Sequence, residues 1–331
     1  MTVGVQGQAS GRSNFVVTGA GPFSLGDAVV RDLSSAAPHA TILAIDAHPV
    51  TTFGANVVAR GFDLNPFDHA QGFAVWTTEL STLVTAALSV EEPGRPVRGV
   101  LLGAARYHVG TYESTTPAIR ADVLGSNIVG KWEALHSVMR YNVLSGFENG
   151  EALSVFDVGG LHGLHHTSHR ALYNPSKVAS LALCRVLSTG SEVRRAVHVA
   201  PGPIDTPMLH WNHWVLKENG DPQFLRLVKT RLPSLYSAIF RSGDDDAFKT
   251  AIRELRMTES AERAVFERYL HRRKVLSESE QGITTPESLG TYVASLMLAS
   301  ESTESGIVEV TSPQGRLRTF TRPFSHAALD E

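Results

Sequence analysis

The chain has 331 residues, 42% hydrophobic and 19% charged, a balance that fits an ordinary globular protein and excludes a disordered or fibrous one. Its formal net charge is −3, and Lys and Arg are scattered apart from the run Arg272, Arg273, Lys274, which favours neither nucleic acid nor an anionic membrane as partner. The single cysteine, Cys184, excludes an intramolecular disulfide framework and fits a reducing compartment; with no signal-peptide core in residues 1–13 and no membrane-length apolar window, a cytoplasmic protein is expected.

Short apolar runs alternate with helical patterns along most of the chain. A strand is predicted at Asn14–Thr18, a helix at Asp27–Ser35 and a strand at Thr41–Ile45. The next strand, Asn56–Ala59, follows so soon that its crossover is reduced to a turn. A helix at Ala70–Leu88, a strand at Val97–Leu102, a long helix at Pro117–Leu144 and a strand at Leu153–Asp157 come next. Then come a helix at Pro175–Ser188, a strand at Ala196–Val199, a helix at Pro286–Leu298 and a strand at Gly306–Val310. The strands read as continuous apolar runs, the mark of strands covered on both faces, so the expected class is α/β with a doubly wound parallel sheet of about seven strands. Met208–Ile283 breaks the alternation with helical periodicity and aromatic anchors such as Trp211 and Trp214. It is expected to be a helical insertion within a single domain spanning 14–315, with terminal tails at 1–13 and 316–331.

Three motifs carry chemistry. The first, Thr18-Gly19-Ala20-Gly21-Pro22-Phe23-Ser24-Leu25-Gly26, runs from a strand through a glycine-bearing turn into a helix. Such a turn lets backbone approach a pyrophosphate, and the helix start adds N–H donors and partial positive charge. The second is Asp46, closing the second strand, where a carboxylate can accept from both hydroxyls of an adenosine ribose and repel a 2′-phosphate. The alternatives are a tight connection and a strand-end Asp capping a turn. The third is Tyr173-Asn174-Pro175-Ser176-Lys177. Tyr and Lys four apart share a helix face, and the ammonium is expected to lower the phenol pKa toward the working range of an acid/base catalyst.

In this order, Thr18-Gly19 to Gly26, Asp46, Asp63-Leu64, Gly103-Ala104-Ala105, Asn127, Tyr173-x-x-x-Lys177 and Pro201-Gly202-Pro203-Ile204-Asp205-Thr206 resemble the short-chain dehydrogenase/reductase superfamily, from about Asn14 to Gly315. The resemblance implies a Rossmann-type sheet and a nicotinamide dinucleotide held by Gly19, Ser24, Leu25, Gly26, Asp46, Asp63, Leu64, Gly103, Ala104 and Ala105. It adds Tyr173, Lys177, Pro201, Gly202, Ile204 and Thr206 to that set. Asp46, with no basic residue directly after it, favours NAD over NADP. Tyr173 is implied as the acid/base, Lys177 as its partner and ribose ligand, and Asn127 as holder of a proton-relaying water. A homodimer or homotetramer is implied as well, with a small molecule as the other partner.

The sequence departs from the family pattern at three places. The glycine turn is one residue longer than usual, and Leu102-Gly103-Ala104-Ala105 lacks the customary Asn. The family's catalytic Ser falls on Gly160, and Val158-Gly159-Gly160-Leu161 contains no hydroxyl. If the chemistry is carbonyl reduction, Gly160→Ser is expected to preserve or raise activity. Replacement donors are sought in His162, His165, His166, Ser168 and His169, and in Tyr107 and His108. No metal is expected, because the histidines lack regular ligand spacing and an accompanying Cys or carboxylate. Gly160, His162, Tyr107, His108, Met208 and Trp211 are expected to line the substrate pocket, with the insertion as its lid.

The expected activity is NAD(H)-dependent interconversion of a hydroxyl and a carbonyl on a fairly apolar small molecule. Two others stay open: a non-redox cyclase, isomerase or dehydratase using Tyr173 for proton transfer, and a cofactor-binding protein with little turnover. Fold alone does not separate them.

Overall fold

The computed structural model describes residues 13–22, 24–48, 53–89, 95–108, 110–149, 153–161, 164, 170–206, 209, 275, 278–279, 282–299, 304–313 and 316–324. Eight strands form one sheet: β1 (Asn14–Thr18), β2 (Thr41–Asp46), β3 (Val57–Gly61), β4 (Val97–Leu102), β5 (Ser154–Val158), β6 (Arg195–Pro201), β7 (Gly306–Thr311) and β8 (Arg318–Pro323). Their order is β3-β2-β1-β4-β5-β6-β7-β8, and every pairing from β3 to β7 is parallel. The chain winds outward from β1 in one direction, then returns and winds the other way. The point of reversal lies between β1 and β4, where such sheets bind ligands at their carboxyl ends.

Six α-helices are described: α1 (Leu25–Ala36), α2 (Phe73–Leu88), α3 (Pro117–Leu124), α4 (Gly130–Leu144), α5 (Tyr173–Thr189) and α6 (Pro286–Leu298). Residues of β1, β4, β5 and β6 such as Val16, Val100, Val155 and Ala196 are fully buried and join Trp76, Leu80, Val138 and Cys184 from the helices in one core. Trp76 anchors α2, with its indole N–H donating to the Asp63 carbonyl at 3.0 Å. Among the described residues no helix is long and apolar enough to cross a membrane.

Two elements differ from the sequence expectation. The long helix predicted at Pro117–Leu144 is interrupted by a π-helical turn at Gly125–Val129, which separates α3 from α4. The tail predicted beyond Arg316 contributes an edge strand, β8. Its six residues are all exposed, so it has no apolar face to announce it, and Arg322 ion-pairs with Glu309 of β7.

Backbone packing divides the chain into two compact units: Met1–Pro201 with Glu287–Val310 and Thr319–Glu331, and Gly202–Pro286 with Thr311–Arg318. In the second unit Ile204 bridges Thr284 in parallel, and Asp205 N–H donates to the Thr284 carbonyl at 2.8 Å. Most of 208–283, including the predicted pocket residues Met208 and Trp211, lies outside the described residues.

Candidate active site

The turn after β1 is built from hydrogen bonds rather than from glycine alone. Thr18 Oγ1 donates to the Leu101 carbonyl at 3.1 Å and accepts from the N–H groups of Gly103 and Ala104 at 3.1 and 3.3 Å, joining the ends of β1 and β4. Gly19 sits at φ +73°, and a Cβ there would lie 2.6 Å from the Ala104 nitrogen. No other residue fits that approach. Ser24 caps α1: its Oγ accepts from Asp27 N–H at 3.0 Å and donates to the Gly19 carbonyl at 2.7 Å. Leu25 and Gly26 form the buried first turn behind it. Asp27 adds an acid there, ion-paired to Arg31 at 2.9 Å.

Asp46 closes β2 against this turn. It accepts from His48 N–H at 2.8 Å, and a Cβ on Gly21 would sit 2.8 Å from its Oδ1. Burial pushes its carboxyl up, while the backbone N–H groups of His48 and Gly21 pull it back. Asp63 is engaged at both oxygens, by Asn65 N–H at 3.0 Å and by Arg106 at 3.1 Å. Leu64 points into the core, whereas Gly103, Ala104 and Ala105 are half-buried beyond β4.

Tyr173 opens α5 and Lys177 lies one turn later, its Nζ 5.2 Å from the centre of the phenol ring. Lys177 donates to the Val158 carbonyl at 3.0 Å. The expected lowering of the phenol pKa does not occur. Tyr173 is 8% exposed, and burial pushes its pKa up to about 12 against the pull of Lys131 and Arg170. Burial pushes Lys177 the other way, down to about 8, with Asp157 opposing.

Asn127 stands on the π-helical turn, an irregularity often found at functional sites. Its Oδ1 accepts from Arg106 N–H at 2.6 Å, and its Nδ2 donates to the Arg106 carbonyl and to Ser176 Oγ, each at 2.9 Å. The side chain clamps the loop after β4 to the start of α5. In that loop Tyr107 meets Tyr173 edge-on, ring centres 4.4 Å apart, and the Arg170 guanidinium lies 5.6 Å from the centre of the Tyr107 ring. Burial lowers the His108 pKa.

Gly160 follows β5 at φ +112°, a conformation that an L-residue rarely adopts. The expected benefit of Gly160→Ser therefore meets a backbone obstacle. Gly159 has a different reason: a Cβ there would overlap Cε1 and Nε2 of the His198 ring. His162, His165, His166, Ser168 and His169 lie outside the described residues. Pro201 ends β6 in the first unit, whereas Gly202, Ile204 and Thr206 belong to the second, where Thr206 N–H donates to the Ile204 carbonyl at 2.7 Å.

Sequence reasoning missed a buried charge cluster beneath Lys177. Asp157 on β5 is 2.6 Å from Lys131 Nζ and 2.9 Å from His198 Nδ1, all three at 1% exposure or less. Burial alone would raise the Asp157 carboxyl, but Lys131 and His198 more than offset it and hold it below the usual carboxylate range. Donor atoms of Asp157, Cys184 and His198 lie within 4.8 Å of one another, and the Lys131 ammonium reaches the same carboxylate. The available signal was an acid and a histidine inside strands otherwise apolar on both faces.

No family model matches the sequence, and no curated protein is similar to it in sequence. Solved structures share its backbone. A short-chain dehydrogenase family protein from Francisella tularensis is 16% identical, with 90% of this chain and 98% of that one covered at a TM-score of 0.56. A 3-oxoacyl-[acyl-carrier protein] reductase from Brucella melitensis, in complex with NAD, is 15% identical over 90% of this chain and 95% of that one, TM-score 0.58. The actinorhodin polyketide ketoreductase with NADPH is 18% identical over 92% and 97%, TM-score 0.57. The chain has the short-chain dehydrogenase/reductase fold. At these identities the likeness concerns the fold, and the chemistry is argued from the residues.

Proposed function

We propose that the protein is an NAD(H)-dependent oxidoreductase of the short-chain dehydrogenase/reductase type, interconverting a hydroxyl and a carbonyl on a fairly apolar small molecule. The observation that carries this reading is Tyr173 over Lys177 at the start of α5, in the same unit as a glycine turn closed by Asp46. The residues present fit a dinucleotide. The capped start of α1 suits a pyrophosphate, and Asp46 beside Gly21 suits an unphosphorylated ribose. The similar reductases occur in complex with NAD in one case and with NADPH in another, so the preference for NAD rests on Asp46.

When bound, the nicotinamide supplies or accepts the hydride. Tyr173 holds its proton at neutral pH, with its phenol near 12, and is poised to give that proton to a carbonyl oxygen. Lys177 lies under the ring and takes part in returning the proton. Asn127 fixes the start of α5 through Ser176, whose hydroxyl donates to the Tyr173 carbonyl at 2.8 Å. Gly160 offers no hydroxyl to the substrate, and losing such a donor commonly costs on the order of 10²–10³ in rate. Tyr107, edge-on to Tyr173, carries the replacing hydroxyl in this reading.

The missing Ser also favours a second reading, proton transfer at Tyr173 without hydride. The two part in a screen of small carbonyl compounds and alcohols followed by nicotinamide absorbance. Turnover that consumes NADH and vanishes in Tyr173→Phe supports the first reading. Substrate conversion with no change in nicotinamide absorbance replaces it with the second.

A further inference from the structure

The sheet unit holds buried charges that an acid/base pair at Tyr173 and Lys177 does not require. The chain has six lysines, and Lys217, Lys229, Lys249 and Lys274 all fall between residues 202 and 286. Elsewhere every strong base is Arg except at Lys131 and Lys177, which are 1% and 2% exposed. Their ammonium groups converge on one acceptor, the Val158 carbonyl, at 3.2 and 3.0 Å. A single buried carboxylate, Asp157, serves them: Lys131 is 2.6 Å from its Oδ1, and Oδ2 faces His198 Nδ1 at 2.9 Å. Neither His198 nitrogen makes a hydrogen bond of regular geometry among the described residues, so the 2.9 Å approach to Asp157 is a close polar contact, and Gly159 is the residue that admits the ring.

We propose that Lys131, Asp157 and His198 are positioning residues that set the proton occupancy of Lys177, and through it the proton exchange of Tyr173. This rests on the reading of Tyr173 and Lys177 as the acid/base pair. A purely structural role explains the arrangement poorly, because well-packed apolar residues commonly stabilise a core as much as a buried ion pair does. One carboxylate cannot fully compensate two ammonium ions that share one carbonyl acceptor, so the protons on Lys131 and Lys177 are coupled. The groups gathered around Lys177 and Tyr173 are Asp157 from β5, Lys131 from α4, His198 from β6, and Cys184 from α5 itself. Arg170 and Tyr107 stand beside Tyr173. Removing Lys131 takes away a neighbouring positive charge and frees Asp157 for Lys177; both changes favour the protonated amine.

The test is an NMR titration of the full-length chain carrying isotope-labelled lysine, with the Lys177 signal identified by its loss in Lys177→Arg. The wild-type midpoint is expected near 8. Lys131→Met is expected to move it upward by about one pH unit or more, and Asp157→Asn downward, with Lys131→Arg restoring the wild-type value. An unmoved midpoint in folded Lys131→Met overturns the proposal. If that variant does not fold, the wild type decides: the Lys131 signal must shift with the Lys177 midpoint, and independent behaviour overturns the proposal. These readouts need neither cofactor nor substrate. They therefore stand or fall apart from the redox reading, which fails on the absence of NADH-dependent turnover.

Discussion

Adding a side chain at Gly160 separates two explanations of its missing hydroxyl. Among the described residues the nearest neighbour of the added Cβ would be the Pro201 carbonyl at 3.7 Å, an ordinary contact, but the backbone is held at φ +112°. Strain of this kind costs about 1–3 kcal/mol. Gly160→Ala and Gly160→Ser are therefore expected to lose similar stability in denaturant unfolding, and a wild-type midpoint for either would remove the backbone argument. Gly159→Ala meets the His198 ring instead and is expected to cost more than Gly160→Ala. At Tyr173 the expected outcome concerns both rate and pH. Tyr173→Phe should abolish turnover and leave NADH affinity nearly unchanged by calorimetry. Because the free chain keeps the phenol protonated up to about pH 12, reduction is expected to run at neutral pH, while alcohol oxidation accelerates as pH rises. Oxidation that slows with rising pH would contradict that assignment.

The helix that follows the glycine turn depends on one hydroxyl. Ser24 satisfies the Asp27 N–H and ties back to the Gly19 carbonyl, so Ser24→Ala is expected to cost about 1 kcal/mol and to weaken NADH binding together with stability. Unchanged thermal unfolding would show the cap to be dispensable. The elements legible in the sequence were those with a buried face. The bounds of β1, β4 and α6 coincide with their apolar runs, because a strand or helix pressed on the core must repeat its pattern there. The π-helical turn was not legible, since one extra residue per turn barely disturbs a periodicity averaged over the long helix. Edge strand β8 carries no apolar alternation to read. Tyr173, Lys177, Asn127 and Asp46 were found as residues, but the rise in the Tyr173 pKa depends on burial, which a linear motif does not contain. Lys131, Asp157 and His198 come from three different elements and meet only in the folded sheet.

For the whole molecule, the buried amine and the exposed helix faces have separate consequences. Lys177 has a folded pKa near 8 against an ordinary 10.5, so between those values the unfolded chain binds more protons and stability rises with pH. The penalty is fully present below pH 8, about 3 kcal/mol at neutrality, and is gone above about 10.5. Lys177→Met should therefore exceed the wild type in stability at pH 7, with the gap closing toward pH 10; a gap independent of pH would mean that the ammonium is fully compensated. Assembly is read from α4 and α5. Trp132 on α4 is 45% exposed and Val143 62%, while Val186 on α5 is 64% exposed. On α4, Trp132, His136, Arg140 and Val143 recur at helical spacing along one exposed stripe, a mixed apolar and charged surface of the kind that subunit contacts use. A stable interface needs about 800 Å² from each partner, more than one such residue supplies, so both helices are expected to contribute. The expected state is a homodimer or homotetramer. In light scattering at micromolar concentration, Trp132→Glu combined with Val186→Glu should shift the mass to that of a single chain while leaving the circular dichroism of the sheet and helices intact. A wild-type protein that is already monomeric under the same conditions would reject this assembly, and the apolar side chains on α4 and α5 would then need another partner.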